Sequence, residues 1–286
     1  MLTRLTLSLS MAGAFALGAA LLFPSPVLSS NAPAIAPEGQ GDVNELPPAK
    51  DLFKAMLEAM GGKDAFDKIK STHVKSKVET QMGNVEMESR FMPPDRFLME
   101  QSVPGMGRIR MGSDGEVGWM HNPMMGYDLI PKEQLEGMGR QANMHMMLLQ
   151  MDDEYEKMET VGTADFQGNA CYKVKLAAEE NDGQQHVFIN RETKLAEGME
   201  IEQRQMGRAM TVRMIFDDWK DVGDVKLFHK LHIEQQGQRQ TMEFTSIELN
   251  SVDEAVFELP EQVRELVRQN RAEDDDAEDD NDDTEE

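Results

Sequence analysis

Cysteine is nearly absent. Cys171 is the single one in 286 residues, so no disulfide can form within the chain and stability rests on packing. Aromatic residues are sparse, with 2 Trp, 3 Tyr and 12 Phe. Positive charge is outweighed, 29 Lys and Arg against 53 Asp and Glu for a net charge of −24. That balance argues against nucleic acid and against anionic lipid surfaces as partners. The chain also lacks the signatures of common chemistries: no Gly-x-Ser-x-Gly, no phosphate-binding glycine loop and no His-Glu-x-x-His. Nothing in it points to an enzyme or to a resident cofactor.

Two terminal segments are distinctive. Arg4 precedes an apolar run from Leu5 to Phe23, followed by Pro24, Pro26 and small residues. This is the layout of a secretory signal peptide, with cleavage expected before Ser30. An uncleaved anchor is the alternative, which Ser8, Ser10, Gly13 and Gly18 disfavour by lowering the hydrophobicity of the run. At the other end, Glu273 to Glu286 holds 11 acids and no base, a block that repels itself and buries nothing. The expected organisation is a signal peptide over 1–29, a Pro- and Ala-rich linker over 30–48, one domain over 49–268 and an acidic tail over 269–286. The destination is the periplasm, as a monomer.

Methionine is over-represented, with 24 residues. Its unbranched, polarisable side chain fills irregular space and suits surfaces that accept variable apolar partners.

Between the termini the hydrophobic period changes twice. Leu52, Phe53, Met56, Leu57 and Met60 recur at helical spacing, and Gly61-Gly62 marks the stop. Period two then takes over in Val74/Val78, Val85/Met87/Phe91 and Phe97/Met99/Val103, with turns at Met82-Gly83-Asn84 and Pro93-Pro94-Asp95. Short strands are expected near 108–111, 117–121 and 127–130. Pro131 opens a second helix to about Met151, with a broad stripe through Leu135, Met138, Met146, Met147 and Leu149. Gly137 and Gly139 weaken its first half and favour a start near Arg140. Seven further strands follow, including Met210/Val212/Met214/Phe216, with hairpin turns at Asp182-Gly183 and Gln236-Gly237. About a dozen antiparallel strands with two helices predict a mainly β fold, one large curved sheet or open barrel.

Metal-ligating patterns are thin. His229 and His232 lie three apart on one strand and face opposite sides. His229 falls on the apolar side and reads as a core histidine, and Cys171 as a buried, inert thiol. Soft Cu(I) ligands are offered by His121, Met124, Met144, His145 and Met147, residues that serve equally well to complete an apolar stripe.

Four segments carry a resemblance. Gly61-Gly62-Lys63-Asp64-Ala65-Phe66 running to Ile69-Lys70-Ser71 is one; Pro94-Asp95-Arg96 with Gly112-Ser113-Asp114-Gly115 and Trp119 is another. Phe216-Asp217-Asp218-Trp219 through His229, and Asn250-Ser251-Val252-Asp253 with Phe257 and Pro260, complete the set. Together they resemble the outer-membrane lipoprotein-sorting (LolA/LolB-like) superfamily over roughly 49–260. Phe228 departs from its pattern, standing where proline is expected. The resemblance implies an unclosed antiparallel half-barrel with helices plugging its mouth, and a concave face that binds acyl chains without catalysis. The residues expected to line that face are Met87, Phe91, Met99, Trp119, Leu135, Met138, Met146, Met147, Leu149, Met210 and Met214. Lipid or an acylated lipoprotein is the expected partner. A periplasmic copper-binding protein and an envelope sensor or adaptor recognising a protein or lipoprotein partner are the alternatives.

Overall fold

A computed structural model describes residues 46–80, 83–132, 134, 135, 138, 145, 148, 157–177, 184–205 and 208–270. The leader, the acidic tail and the Asp182-Gly183 turn lie outside these residues. Helix α1 (Ala49–Ala59) buries Leu52, Phe53 and Met56, the stripe its sequence spacing predicts. A four-residue helix, α2 (Lys63–Phe66), follows the two glycines. Six strands come next: β1 (Thr72–Thr80), β2 (Gly83–Met92), β3 (Arg96–Val103), β4 (Gly107–Asp114), β5 (Gly118–Asn122) and β6 (Gly126–Ile130). Seven more succeed the helical segment: β7 (Lys157–Phe166), β8 (Asn169–Ala177), β9 (Gln185–Asn190), β10 (Ala196–Gln205), β11 (Arg208–Val222), β12 (Val225–Gln235) and β13 (Gln238–Leu249).

All thirteen strands form one sheet in the order β6-β5-β4-β3-β2-β1-β13-β12-β11-β10-β9-β8-β7. Every neighbour is a consecutive hairpin partner except β1 and β13, whose antiparallel pairing joins two meanders into one surface. The edge strands β6 and β7 do not pair, so the sheet is a curved, open half-barrel. We call β1–β6 the N-terminal wing and β7–β13 the C-terminal wing.

Helix α1 and the helical segment after Pro131 cover the inner face. Residues 132, 134, 135, 138, 145 and 148 are all helical, and Gln134 and Leu135 donate backbone N–H bonds to the Pro131 carbonyl at 2.9 and 3.1 Å. Helical structure therefore begins at Lys132, directly after Pro131, and not near Arg140. Proline at the first turn lacks only a donor that had no partner there. On the outer face of the N-terminal wing, residues 261–270 form a closing helix whose Val263 packs with Leu98, Trp119 and Phe257.

The segments that carry the family resemblance are fold devices. Gly61 adopts φ +123°, and a Cβ there would lie 2.4 Å from the Asp224 carbonyl oxygen in the β11–β12 turn. That approach lets Lys226 N donate to the Met60 carbonyl at 2.7 Å, pinning the end of α1 to the sheet. Asn250, in a left-handed conformation (φ 58°), accepts from Lys70 N at 2.6 Å through its Oδ1. Its own N–H donates to the Ser71 carbonyl at 2.8 Å, so the two ends of the sheet-forming chain are clamped together. Gly61→Ala is expected to lower the unfolding free energy by about 2 kcal/mol, through both its dihedral and its clash. Urea denaturation checks this, and an unchanged midpoint would show that the turn yields freely.

One strand pair departs from simple alternation. Asp218, within β11, takes φ 58°, and beyond it Trp219 and Phe228 turn to the same interior as Phe216 and Leu231. Leu227 and Phe228 are consecutive and both buried. His229 is therefore not the core histidine that strict alternation predicts. It is half-buried, with Nδ1 3.1 Å from the Leu227 carbonyl.

Candidate functional site

The inner face differs sharply between the wings. In the C-terminal wing Val174, Val187, Ile189, Met199, Phe216 and Leu231 pack under α1 and Leu148 in one closed cluster. Met214, expected in a cavity wall, is 2% exposed within this cluster. Met210 lies farther along β11, half-buried, with Sδ 3.3 Å from Gln236 Nε2.

The N-terminal wing is built otherwise. Register sets Phe91 of β2 opposite Phe97 of β3, Met99 opposite Met111 of β4, and Met111 opposite Met120 of β5. Directly paired residues share a face, so these side chains form one apolar surface. Phe91 and Phe97 are buried, and Met99, Met111, Leu135 and Met138 pack against them. Met87, Met99, Met111 and Met120 remain only half-buried on this inner side. Gly118 admits the covering helix, because a Cβ there would stand 2.7 Å from Leu135 Cδ1.

The structure thus brings together Phe91, Met99, Leu135 and Met138, with Met87 on the same face of β2. It separates Trp119, whose partner across the ladder is Gly112 and not Met111. Trp119 lies on the outer face beneath Phe257 and Val263, seated on Gly112, where a Cβ would fall 2.9 Å from the indole. Met146, Met147 and Leu149 lie outside the described residues. Sequence reasoning missed Phe97, Met111 and Met120. Their signal was present as alternation in β3, but Gly112 interrupts the apolar pattern of β4 and β5 has only 5 residues.

The copper set is not assembled by its described members. His145 is buried, its Nε2 3.0 Å from the Phe228 carbonyl and its ring 4.4 and 4.8 Å from those of Phe228 and Phe244. His121 stands on the outer face against Tyr127, ring centroids 4.4 Å apart. Met124 projects from a hairpin tip, 83% exposed, and Met144 and Met147 lie outside the described residues. Among the described residues no cluster of three His, Cys, Asp or Glu is placed to hold a metal. Cys171 packs with Phe166, Phe188 and Ile215, and burial, with Glu197 and Asp165 nearby, pushes its thiol up to about 12. A thiol in that state is not a nucleophile at neutral pH.

Charged groups gather on the outer face of the N-terminal wing. Glu100 receives Arg90, Arg108 and Arg110 at 3.2, 3.4 and 3.3 Å. Arg110 also lies over the Trp119 ring at 5.3 Å. Among the described residues the inner face of this wing carries no such network, and Phe91, Phe97, Met99 and Met111 give it a mainly apolar character.

An open, curved antiparallel half-barrel with helices on one face is the LolA-like fold, as the motif segments anticipate. No family model and no curated protein sequence matches the chain. Solved structures do: a DUF1329 family protein from Desulfovibrio piger ATCC 29098 shares 13% identity with a TM-score of 0.52, over 74% of this chain and 98% of that one. A LolA superfamily protein from Nitrosomonas europaea shares 11% identity with a TM-score of 0.51, over 75% and 99%. At these identities the likeness is one of fold.

Proposed function

We propose that the chain is an exported, non-catalytic carrier or binding protein that holds a lipid, a lipoprotein acyl chain or a similar apolar ligand. The ligand lies on the inner face of the N-terminal wing, beneath Leu135 and Met138. The observation that carries this reading is the row of half-buried methionines, Met87, Met99, Met111 and Met120, beside the filled core of the other wing. Apolar surface that a protein leaves partly open on a concave, helix-covered face is surface available to a ligand. Methionine suits it, adapting to chains of differing length and unsaturation. Each buried CH₂ contributes about 0.8 kcal/mol, so a sixteen-carbon chain supplies roughly 12 kcal/mol before the costs of association. Such a site requires apolar area and no polar triad, in keeping with the absence of catalytic motifs. The N-terminal leader fits delivery to the periplasm, with residues 49–268 as the working domain and the acidic tail as a solvating appendage.

A fluorescent fatty-acid probe should bind the protein with micromolar affinity or better. Met99→Ser with Met111→Ser should weaken that binding about tenfold, the equivalent of about 1.4 kcal/mol lost from two half-buried contacts. Thermal stability should move little. A probe that fails to bind, or binding untouched by the pair while stability collapses, would return these residues to the core. Native mass spectrometry of protein taken from the periplasm identifies the natural ligand.

A further inference from the structure

Successive hairpins of the N-terminal wing turn at alternate ends, so the β1–β2, β3–β4 and β5–β6 tips stand side by side. They touch: a Cβ at Gly107 would lie 3.2 Å from Pro123 Cγ, and one at Gly83 3.4 Å from Pro104 Cγ. The latter two turns are tight. Met106 N donates to the Val103 carbonyl and Met125 N to the Asn122 carbonyl, each at 3.1 Å. Asn122 Oδ1 also accepts from Met124 N at 2.9 Å. Gly105, Gly107 and Gly126 supply the positive φ that such turns require. Their outward side chains are methionines, with Met106 36%, Met124 83% and Met125 85% exposed. These are three of the four large apolar side chains exposed among the described residues.

Charge is segregated along the wing in the same sense. Val103–Arg108 and Asn122–Tyr127 contain no acidic residue and one basic residue, Arg108, in a chain with 53 Asp and Glu. The turns at the opposite end carry Asp95, Asp114 and Glu116. The net charge of −24 opposes approach to an anionic headgroup layer and leaves a zwitterionic one open to contact. Among the described residues the β3–β4 and β5–β6 turns combine acid-free tips with projecting apolar groups, while the exposed acids Glu79, Glu86 and Asp128 stand further back along the strands. Flexible thioether side chains on rigid turns can enter the interfacial region of a bilayer while the backbone stays at headgroup level. Arg108, the one basic residue of these turns, is 63% exposed at its side chain and pairs with Glu100 Oε1 at 3.4 Å.

We propose that the paired β3–β4 and β5–β6 tips are a docking surface for a zwitterionic lipid bilayer, which Met106, Met124 and Met125 enter. The proposal does not depend on what the inner face binds. Met124→Trp in the full chain places an indole at the tip and reports on that tip whatever other segment touches lipid. With vesicles of phosphatidylethanolamine and phosphatidylcholine, its added emission should shift to the blue by about 5–10 nm and be quenched by brominated acyl chains, as for a side chain at interfacial depth. Adding Met106→Asp and Met125→Asp should abolish both signals while fatty-acid probe binding and melting temperature hold. Emission that stays unshifted with vesicles, or a shift that survives the aspartates, overturns the proposal. A blue shift that grows with protein concentration without lipid would assign the tips to a second copy of the chain, and overturns it equally.

Discussion

Replacing Phe228 with alanine is expected to lower the unfolding free energy by about 3–5 kcal/mol, the largest effect of any single substitution foreseen here. Phe228 is 0% exposed, and four rings converge on it: Phe216 at 4.9 Å, Trp219 at 5.6 Å, Phe244 at 5.5 Å and His145 at 4.4 Å. These neighbours come from β11, β13 and the helical segment that crosses the inner face, so the ring joins elements remote in sequence. Truncation leaves a cavity that no single element can close, and a cavity term adds to the lost transfer energy. Urea denaturation followed by tryptophan fluorescence measures the change directly. Met124→Ala, at an exposed tip, serves as the contrast and should shift stability by less than about 0.5 kcal/mol. A loss below about 1 kcal/mol for Phe228→Ala would mean that the aromatic cluster collapses onto the gap and that the inner face of the C-terminal wing is softer than its packing implies.

The prominence of Phe228 also shows where the sequence could and could not be read. Strand positions were legible because alternation survives in most of them. The expected strand Val225–Gln235 is the one observed, and β13 begins at Gln238 where Gln240 was expected. Facing was less legible. A period of two carries over only while the backbone stays extended, and Asp218 in the left-handed region breaks it. The sequence around it, Phe216-Asp217-Asp218-Trp219, gives no local warning, since aspartate tolerates that region without requiring it. Across the ladder in β12, strict alternation puts His229 inside, whereas the consecutive Leu227 and Phe228 are the buried residues. Trp119 was misplaced for a related reason. Its face depends on the β4–β5 register, which pairs it with Gly112, and register between short strands follows from tertiary packing. By contrast Phe91, Met99, Leu135 and Met138, grouped on the sequence, also pack together in the structure. Their shared surface follows from the β2–β3 register and from the helix start after Pro131.

The buried histidine also came from an unexpected place. His145 was a candidate copper ligand on the strength of its methionine neighbours, yet among the described residues it ties the helical segment to the sheet. A neutral imidazole can donate from Nε2 to the Phe228 carbonyl, 3.0 Å away, while its ring fills the space between Phe228 and Phe244. An imidazolium in the same place would strand a charge among aromatic rings.

Acid should therefore weaken the fold well before its carboxylates account for the loss. Burial holds the His145 imidazole down to about 4 from its ordinary 6.5; the Phe228 carbonyl opposes this in part, and the charge of His229 adds to it. Between those values the unfolded chain binds a proton that the folded chain refuses, so stability rises with pH across the interval. The contribution is complete above about 6.5, declines as pH falls, and is lost by about 4, amounting to about 3 kcal/mol at 1.36 kcal/mol per pH unit. Carboxylates such as Glu88, which burial raises but which the hydrogen bond from His73 and the charges of Arg90, His73 and Lys75 hold lower on balance, give the same sign of dependence at more acidic pH. A paired comparison removes them. His145→Gln keeps a donor for the Phe228 carbonyl and cannot titrate, so its unfolding free energy should change less than that of the parent chain between pH 7 and 4.5. The gap should be about 2–3 kcal/mol. The same residue should show no imidazole titration by NMR between pH 7 and 5. Identical pH slopes in the two proteins, or an imidazole that titrates near 6.5, would show that His145 opens to solvent and does not hold the helical segment to the sheet.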